Sequence, residues 1–595
     1  MSGFTNTNTN TNTNTNTNAS ALLESATLSF HNISQAQAQA VAEPAIEIQH
    51  FGMLKIQAAA LTKVLTKMLR IVMLIDLSGS MDEECKDRKT QIHHMRTVTK
   101  NLIRELHKFR DADTNIHFVV KGFESSIHHI LDIPNLLSLS EEQIKDEIIP
   151  EIDKLQSLGL TNLEDALKEG RKCVQLKEPQ KIADIKNMIV VITDGDANMG
   201  ETRPAELRRL LPFNCANYIL GLGVKYDAKV LQKISDGENK HINDPESAGN
   251  CVGEIIHRFM FEALTNVELL VQNGLIYNYK NNTWSTYLDI SSIASEETKN
   301  FIITSSCPDA VIIKIRCLMN GIPFEHIISE HQKSDLTMYQ FRQEVQEAMY
   351  KAKELEHFRS EMKKSKYDGD LDYIIFGLKD EDDLYSSNEE IKERKAQEAK
   401  DRHTQFEKVQ TEFKAELKQL LIKMLRYMTD NDLNNDAFYK TLCMDVKVTM
   451  DNIGKQNAEL YINSRITSQG RQETYTCDTV EEPEPEHHRQ SFTRLTRQTA
   501  ANDLDDDPYI RGSYAQDQDA FALALEEDAL KEETDENEVE VSKDEVSVAV
   551  KEDDKLLAAF NKSIRQHTTF TSPYASPQKL GLMRGVSSQQ EEEDV

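Results

Sequence analysis

Three oxygen-bearing side chains follow the end of an apolar run near residue 70. The run IVMLI has the composition of a buried strand and ends in DLSGS, which places Asp76, Ser78 and Ser80 within five residues. A strand that contributes only to a hydrophobic core is not expected to end in a carboxylate and two hydroxyls. Such hard oxygen donors, with room left for water, suit Mg²⁺ and, less selectively, Mn²⁺ or Ca²⁺. We therefore expect a divalent-cation site here, completed by donors from elsewhere in the chain.

Two further oxygen donors stand in comparable positions later in the sequence. Thr161 precedes a predicted helix in LGLTNLEDAL, and Asp194 follows the apolar run VVIT in VVITDGDAN. The carboxyl ends of parallel strands lie along one edge of a doubly wound sheet, where ligands bind. Donors from three separated segments can therefore converge. The sequence predicts one metal site formed by Asp76, Ser78, Ser80, Thr161 and Asp194.

The elements that must position these residues alternate between strand and helix from 71 to 264. Apolar runs such as IVMLID, NMIVVITDG and NYILGLGV are separated by segments with apolar residues every three or four positions. Short apolar strands between amphipathic helices are typical of a mostly parallel sheet that is covered on both faces. The predicted fold class is therefore α/β, with a doubly wound, Rossmann-like sheet.

The order of these motifs resembles the von Willebrand factor type A (vWA) domain and its metal-ion-dependent adhesion site. D-x-S-x-S, T-N-L-x-x-A-L and an apolar strand closing in T-D-G follow one another, and all five ligand positions of the family's pattern are filled. The resemblance covers roughly a third of the chain. It implies that the serines and the threonine contact the metal directly, while the aspartates often act through water. It also implies one open coordination position, filled by an Asp or Glu of a partner protein.

Three functional interpretations follow from this resemblance. The first is a Mg²⁺-dependent protein-binding module of the adhesion or scaffold type that acts inside cells. The alternative is a metal-assisted hydrolase or transferase, which would need a general base or nucleophile near its substrate. Because the sequence shows no Ser/His/Asp or Cys/His arrangement and no phosphate-cradling glycine loop, we expect no enzymatic activity. The third is a domain that keeps the motif without binding metal.

The rest of the chain divides by composition. Short strand-like runs broken by Asn, Gly, Ser and Pro follow the α/β segment, and two apolar stripes at helical spacing come next. This part resembles the region that follows the domain in vWA proteins with a Vwaint-type C-terminal domain. The predicted divisions are a Thr/Asn-rich disordered N-terminus (1–42), a strand-like lead-in (43–70), the vWA-like domain (71–264), a small antiparallel β unit (265–335), a helical region (336–477) and an acidic disordered tail (478–595).

The net charge and the pattern of cysteines limit the class of binding partner and the cellular compartment that we expect. The net charge of −30, with 29 acidic and 12 basic residues in 478–595, argues against nucleic acid as a partner. The eight cysteines are scattered, as is typical of reduced thiols, and we predict no signal peptide or transmembrane helix. We expect a cytoplasmic protein. Alternatively, the terminus SSQQEEEDV resembles those of bacterial effectors exported into host cells by type IV secretion.

Overall fold

The computed structural model describes five stretches of the chain, which fall into two units. They are 22–31, 49–375, 388–473, 553–562 and 574–588, apart from gaps at 62, 65, 111–112, 176–184, 196, 214, 224–225, 227, 236–238, 243–244 and 456–457. One unit comprises residues 1–478 and 567–595, and the other comprises 479–566. In the second unit the described residues, 553–562, are helical. All the strands among the described residues belong to the first unit.

Two strands precede an α/β domain in the first unit. They are β1 (Leu23–His31) and β2 (His50–Ala58). The α/β domain then contributes six strands, β3 (Met68–Asp76), β4 (Asn115–Phe123), β5 (Ile127–Ile133), β6 (Ile185–Thr193), β7 (Ala216–Leu222) and β8 (Asn239–Ile242). They form one sheet in the order β5-β4-β3-β6-β7-β8, in which β5 is antiparallel to β4 and the other pairs are parallel.

Helices cover both faces of this sheet. They are α1 (Gln91–His107), α2 (Glu141–Gln143), α3 (Ile149–Asp153), α4 (Leu163–Val174), α5 (Pro204–Leu210), α6 (Ala228–Ile234) and α7 (Ala248–Met260). Successive side chains of a strand point to opposite faces, so Ile71 and Met73 join the core formed with α1 and α7, whereas Val72 and Leu74 join the core formed with α4. The predicted α/β fold class is confirmed, and β3 lies at its centre.

Two further sheets follow the α/β domain. Their strands are β9 (Glu262–Gln272), β10 (Leu275–Asn278), β11 (Thr283–Ser285), β12 (Tyr287–Asp289), β13 (Ser292–Ala294), β14 (Thr298–Ser305), β15 (Ile312–Met319), β16 (Ile322–Ile328) and β17 (His331–Ser334). One sheet has the order β11-β10-β14-β2-β1-β17 and the other β12-β9-β15-β16, with β13 also paired to β9. Buried side chains of both sheets belong to the same core as those of α1 and α7.

The N-terminal strands differ from the sequence expectation. The predicted disordered segment 1–42 contains β1, and the predicted lead-in 43–70 contains β2, which pairs with β1 and β14. Leu28 and Phe30 of β1 are each 2% exposed, and Leu28 lies opposite Leu54. One of the two further sheets therefore combines strands that precede the α/β domain in the chain, β1 and β2, with strands that follow it. The Thr/Asn repeat itself lies outside the described residues.

Two long and two shorter helices lie in the described part of the helical region. They are α8 (Thr337–Ile375), α9 (Asn388–Asp430), α10 (Ala437–Asn452) and α11 (Ala458–Arg471). The side chains of Val345 on α8 and Leu421 on α9 are fully buried, as the apolar stripes predict. None of the helices within the described stretches combines the length and the apolarity needed to cross a membrane.

A last helix, α12 (Pro577–Ser587), lies within the span predicted to be a disordered tail. It packs against α7 and α1 of the α/β domain. The backbone of α12 passes so close to α7 that a Cβ at Gly253 would lie 2.7 Å from Met583 Cα. Lys579 is fully buried, and its Nζ lies 3.1 Å from Glu254 Oε1 on α7. The sequence analysis missed this helix because its partners are more than 300 residues away in the chain.

Candidate metal centre

The register of the central strands brings Asp76 and Asp194 together. Ile75 of β3 lies opposite Ile192 of β6, so the chain leaves both strands at the same edge of the sheet. Asp76 is the last residue of β3, and Asp194 follows the last residue of β6. Asp76 Oδ2 accepts a hydrogen bond from Thr193 Oγ1 at 2.6 Å, which ties the two strand ends together.

The loop after β3 presents the two serines. Ser78 donates its backbone N–H to Asp76 Oδ1 at 2.8 Å, which turns the chain back over the end of the strand. A short 3₁₀ turn, Gly79–Asp82, follows and carries Ser80. The Leu77 N–H donates to the Phe123 carbonyl at the end of β4, so the loop is fixed to the neighbouring strand.

The loop that carries Thr161 is tied to both other loops. The Thr161 N–H donates to Asn198 Oδ1 at 2.9 Å, and the Asn198 N–H donates back to the Thr161 carbonyl at 3.2 Å. The Gly79 N–H donates to the Gly159 carbonyl at 3.3 Å. Gly159 has φ +74°, a left-handed conformation that suits glycine, and a Cβ there would overlap the Glu124 carboxylate. The backbone thus holds the three segments in one arrangement.

The side-chain oxygens of Ser78, Ser80 and Asp194 lie within hydrogen-bond distance of one another, and Thr161 lies nearby. Ser78 Oγ and Ser80 Oγ are 3.1 Å apart, and Ser80 Oγ donates to Asp194 Oδ1 at 2.7 Å. A Cβ at Gly195 would lie 3.5 Å from Thr161 Oγ1 and 3.7 Å from Ser80 Oγ, so Thr161 belongs to the same group. The structure brings all five predicted site residues to one edge of the sheet.

These spacings fit the coordination shell of Mg²⁺. Mg²⁺ binds oxygens in an octahedron at about 2.1 Å, so neighbouring ligand oxygens are about 3 Å apart. The Ser78–Ser80 hydroxyl separation of 3.1 Å is compatible with that value, and Asp194 is held beside Ser80 by a hydrogen bond of 2.7 Å. The donor set is also the one that a hard divalent cation prefers, since it contains hydroxyls and carboxylates without thiol or imidazole.

The two carboxylates are buried without a compensating cation. Asp76 is fully buried and Asp194 is 2% exposed, and the ion pairs formed among the described residues involve neither of them. Burial raises the pKa of Asp76. Burial, together with the negative charges of Asp76 and Glu83, raises the pKa of Asp194 to about 7. Because a buried carboxylate is stable only when its charge is neutralised, this electrostatic environment suits a bound cation.

The described residues contain no group of three or more His, Cys, Asp or Glu side chains placed to hold a metal. The candidate centre differs from such sites because three of its five donors are hydroxyls. Sequence reasoning missed two supporting residues, Thr193 and Asn198. Their signal was present in the sequence, because Thr193 and Asn198 are the first and last residues of the stretch TDGDAN, which follows the apolar run MIVVI.

The comparison with family models matches the stretch that carries these three loops. Residues 71–256 match the von Willebrand factor type A domain. The chain contains a vWA domain. Domains of this type generally mediate protein–protein interaction or adhesion.

Similar proteins share this domain at low sequence identity. The inter-alpha-trypsin inhibitor heavy chain H3 of Bos taurus is 25% identical over 232 residues, which are 38% of this chain and 24% of the relative. The chain thus spans about a quarter of the length of the curated relatives it matches. Among solved structures, a von Willebrand factor type A protein from Catenulispora acidiphila is 15% identical with a TM-score of 0.36, over 51% of this chain and 77% of that one. The ArnB paralog VWA2 from Sulfolobus acidocaldarius is 13% identical with a TM-score of 0.36, over 75% and 97%.

Proposed function

We propose that this protein binds Mg²⁺ at the edge of its vWA domain and uses the ion to capture a carboxylate of a partner protein. The metal ligands in this proposal are Asp76, Ser78, Ser80, Thr161 and Asp194. Mn²⁺ and Ca²⁺ are alternative ions for the same oxygen donors.

The observation that carries the proposal is the convergence of hydroxyls from two loops on two buried carboxylates that form no ion pair with the described residues. The hydrogen bonds also suggest different roles for the five residues. Both oxygens of Asp76 already accept hydrogen bonds, from the Ser78 N–H and from Thr193 Oγ1, so Asp76 fits a role that orients the loop and acts through water. The hydroxyls of Ser78, Ser80 and Thr161 fit direct coordination.

The proposed partner presents an Asp or Glu side chain. Three hydroxyls and two carboxylates do not close an octahedron when the aspartates act through water, so one position can accept an incoming carboxylate. A divalent ion that contacts its aspartates only through water attracts a further carboxylate strongly, because the longer distance weakens the compensation of its charge. The vWA domain then serves as a binding module.

Partner capture tests this proposal. The full-length protein is immobilised and exposed to lysate in millimolar Mg²⁺ or in EDTA, in parallel with Asp76→Ala and with the control Asp113→Ala, an exposed aspartate outside the site. We expect partners that are retained by the wild type and by Asp113→Ala in Mg²⁺, and that are lost in EDTA and in Asp76→Ala. Equal capture in all four arms would refute the proposal.

The alternative function, a metal-assisted hydrolase or transferase, has its own test. Hydrolysis of a generic ester or phosphodiester that is abolished by Asp194→Ala would favour it over a binding module. The cytoplasmic location and the export by a type IV system stay predictions, and a translocation assay with residues 588–595 deleted tests the second.

A further inference from the structure

The loops of the candidate metal centre carry three large apolar side chains that face solvent. Leu158 is 62% exposed, Leu160 is 51% exposed and Met199 is 39% exposed. Eleven large hydrophobic residues are exposed among the described residues, and three of them lie in the two loops that supply or support Thr161. Single exposed apolar residues are common on protein surfaces, whereas a cluster around one site marks a place where a ligand can bury them.

The backbone holds these apolar residues next to the proposed ligands. The Leu158 N–H donates to the carbonyl of Leu77, which lies between Asp76 and Ser78 in the chain. The Leu160 N–H donates to Ser125 Oγ at 3.3 Å, and the Met199 N–H donates to the Thr161 carbonyl at 3.3 Å. Backbone hydrogen bonds therefore fix the loops that carry these apolar side chains. A partner that covers the side chains loses little binding free energy to the ordering of this surface.

The other flank of the centre is acidic. Ser80 is followed by Asp82, Glu83 and Glu84, of which Asp82 and Glu84 are exposed, and the charge of Glu83 contributes to the raised pKa of Asp194. The basic residues Lys86, Arg88 and Lys89 come later in the same loop, after these three acids. A partner segment with several acids would be repelled by this flank even though one of its carboxylates suited the metal. The surface around the metal position thus selects for a single carboxylate in apolar surroundings.

We infer that the partner of this site is a protein segment in which one Asp or Glu is flanked by large apolar residues and by no further acid. The inference rests on the proposed function, because the carboxylate is the ligand of the metal. The apolar flanks supply the selectivity. Their partners on this chain are Leu158, Leu160 and Met199, which the incoming side chains would cover.

A peptide-binding experiment separates this inference from the proposed function. Three labelled peptides with one central Asp, flanked by Leu and Phe, by Ser and Gly, or by Glu, are titrated with the full-length protein in millimolar Mg²⁺. The variants are Leu158→Ser/Leu160→Ser and the control Ile327→Ser, which removes an apolar side chain that is 54% exposed on β16. Binding of Mg²⁺ alone is measured for each protein by calorimetry.

We expect the Leu/Phe peptide to bind at least about tenfold more tightly than the Ser/Gly peptide, as burial of one large apolar side chain implies. The Glu-flanked peptide should bind most weakly. The double variant should lose the tenfold preference and keep its Mg²⁺ affinity, and Ile327→Ser should match the wild type. Mg²⁺-dependent binding with equal affinity for the Leu/Phe and Ser/Gly peptides would overturn this inference alone. Absence of Mg²⁺ binding by the wild type would overturn the proposed function and this inference with it.

Discussion

The buried charged residues around Lys579 of α12 allow us to predict how far a substitution among them favours the release of this helix. Lys579 of α12 lies 3.1 Å from Glu254 Oε1 and 2.5 Å from Glu297 Oε1. Glu254 also pairs with Lys240 at 2.6 Å, and Glu297 lies 3.5 Å from Lys299. The cluster within the described residues comprises the cations Lys240, Arg258, Lys299 and Lys579 and the carboxylates Glu254, Glu297 and Glu473.

Removal of a cation from this cluster should therefore destabilise the docked state of α12 less than removal of a carboxylate. Lys579→Met leaves three cations and three carboxylates in the cluster, and each carboxylate keeps a partner. The free energy that holds α12 in place should therefore fall by the value of charged hydrogen bonds, about 1.5–3 kcal/mol. Glu297→Gln keeps the shape of the side chain but leaves four buried cations with two carboxylates. Uncompensated buried charge costs about 3–5 kcal/mol.

Release of α12 is the simplest way to relieve the excess charge, because it carries Lys579 out of the cluster. Hydrogen exchange of residues 577–587, followed by mass spectrometry, measures this opening. At about 1.4 kcal/mol per factor of ten, Lys579→Met should raise the opening equilibrium by roughly 10- to 150-fold and Glu297→Gln by roughly 150- to 5,000-fold. The double variant should open no more than Glu297→Gln alone, because the repelled lysine is then absent.

Exchange in the central strand β3 serves as the control and should stay unchanged in all three proteins. Equal opening equilibria of α12 in Lys579→Met and Glu297→Gln would refute this reasoning. A double variant whose opening free energy changes by the sum of the two single effects would refute it as well.

Three further predictions concern the metal centre and the docking of α12. Thr161→Ala should weaken Mg²⁺ binding by at least about tenfold in calorimetry, because even the loss of a supporting group costs that much; unchanged affinity would remove Thr161 from the ligand set. Gly253→Ala places a methyl group 2.7 Å from the α12 backbone and should expose residues 577–587 to exchange, whereas Gly581→Ala, with nothing within 4 Å of its Cβ, should not; equal exchange would contradict the packing. Burial and the charge of Lys579 lower the pKa of His257, which faces Lys579, Glu297 and Glu254 and contacts Gln578. Its contribution is thus present above its unfolded pKa of about 6.5 and is lost as the pH falls through the lowered value. Hydrogen exchange of residues 577–587 should therefore increase progressively below about pH 6.5, and exchange protection that does not change with pH would refute a role for His257.

The α/β domain could be predicted from the sequence because its signals are local. Each strand is a short apolar run and each helix has its own apolar face. The parallel arrangement then requires residues such as Asp76 and Asp194, which follow two of these strands, to meet at one edge. The structure brings them together as expected. Their binding of a metal stays a prediction, since the spacing of oxygens and the burial of charge support it without a bound ion.

The strand β1 and the helix α12 could not be predicted in the same way, because their partners are distant in the chain. Leu28 of β1 lies opposite His331 of β17, and Lys579 bonds to Glu254 across 325 residues. A weak local signal for α12 was nevertheless available. Ser576 accepts a hydrogen bond from the Lys579 N–H and is followed by Pro577, which is a typical start of a helix.

Titration of the full-length protein with Mg²⁺ and with Mn²⁺, monitored by calorimetry, tests the metal centre most directly. We predict one bound ion per chain at millimolar affinity or better, retained in Asp113→Ala and lost in Asp76→Ala. A wild-type protein that binds neither ion at millimolar concentration, or an Asp76→Ala variant that binds as well as the wild type, would contradict the account.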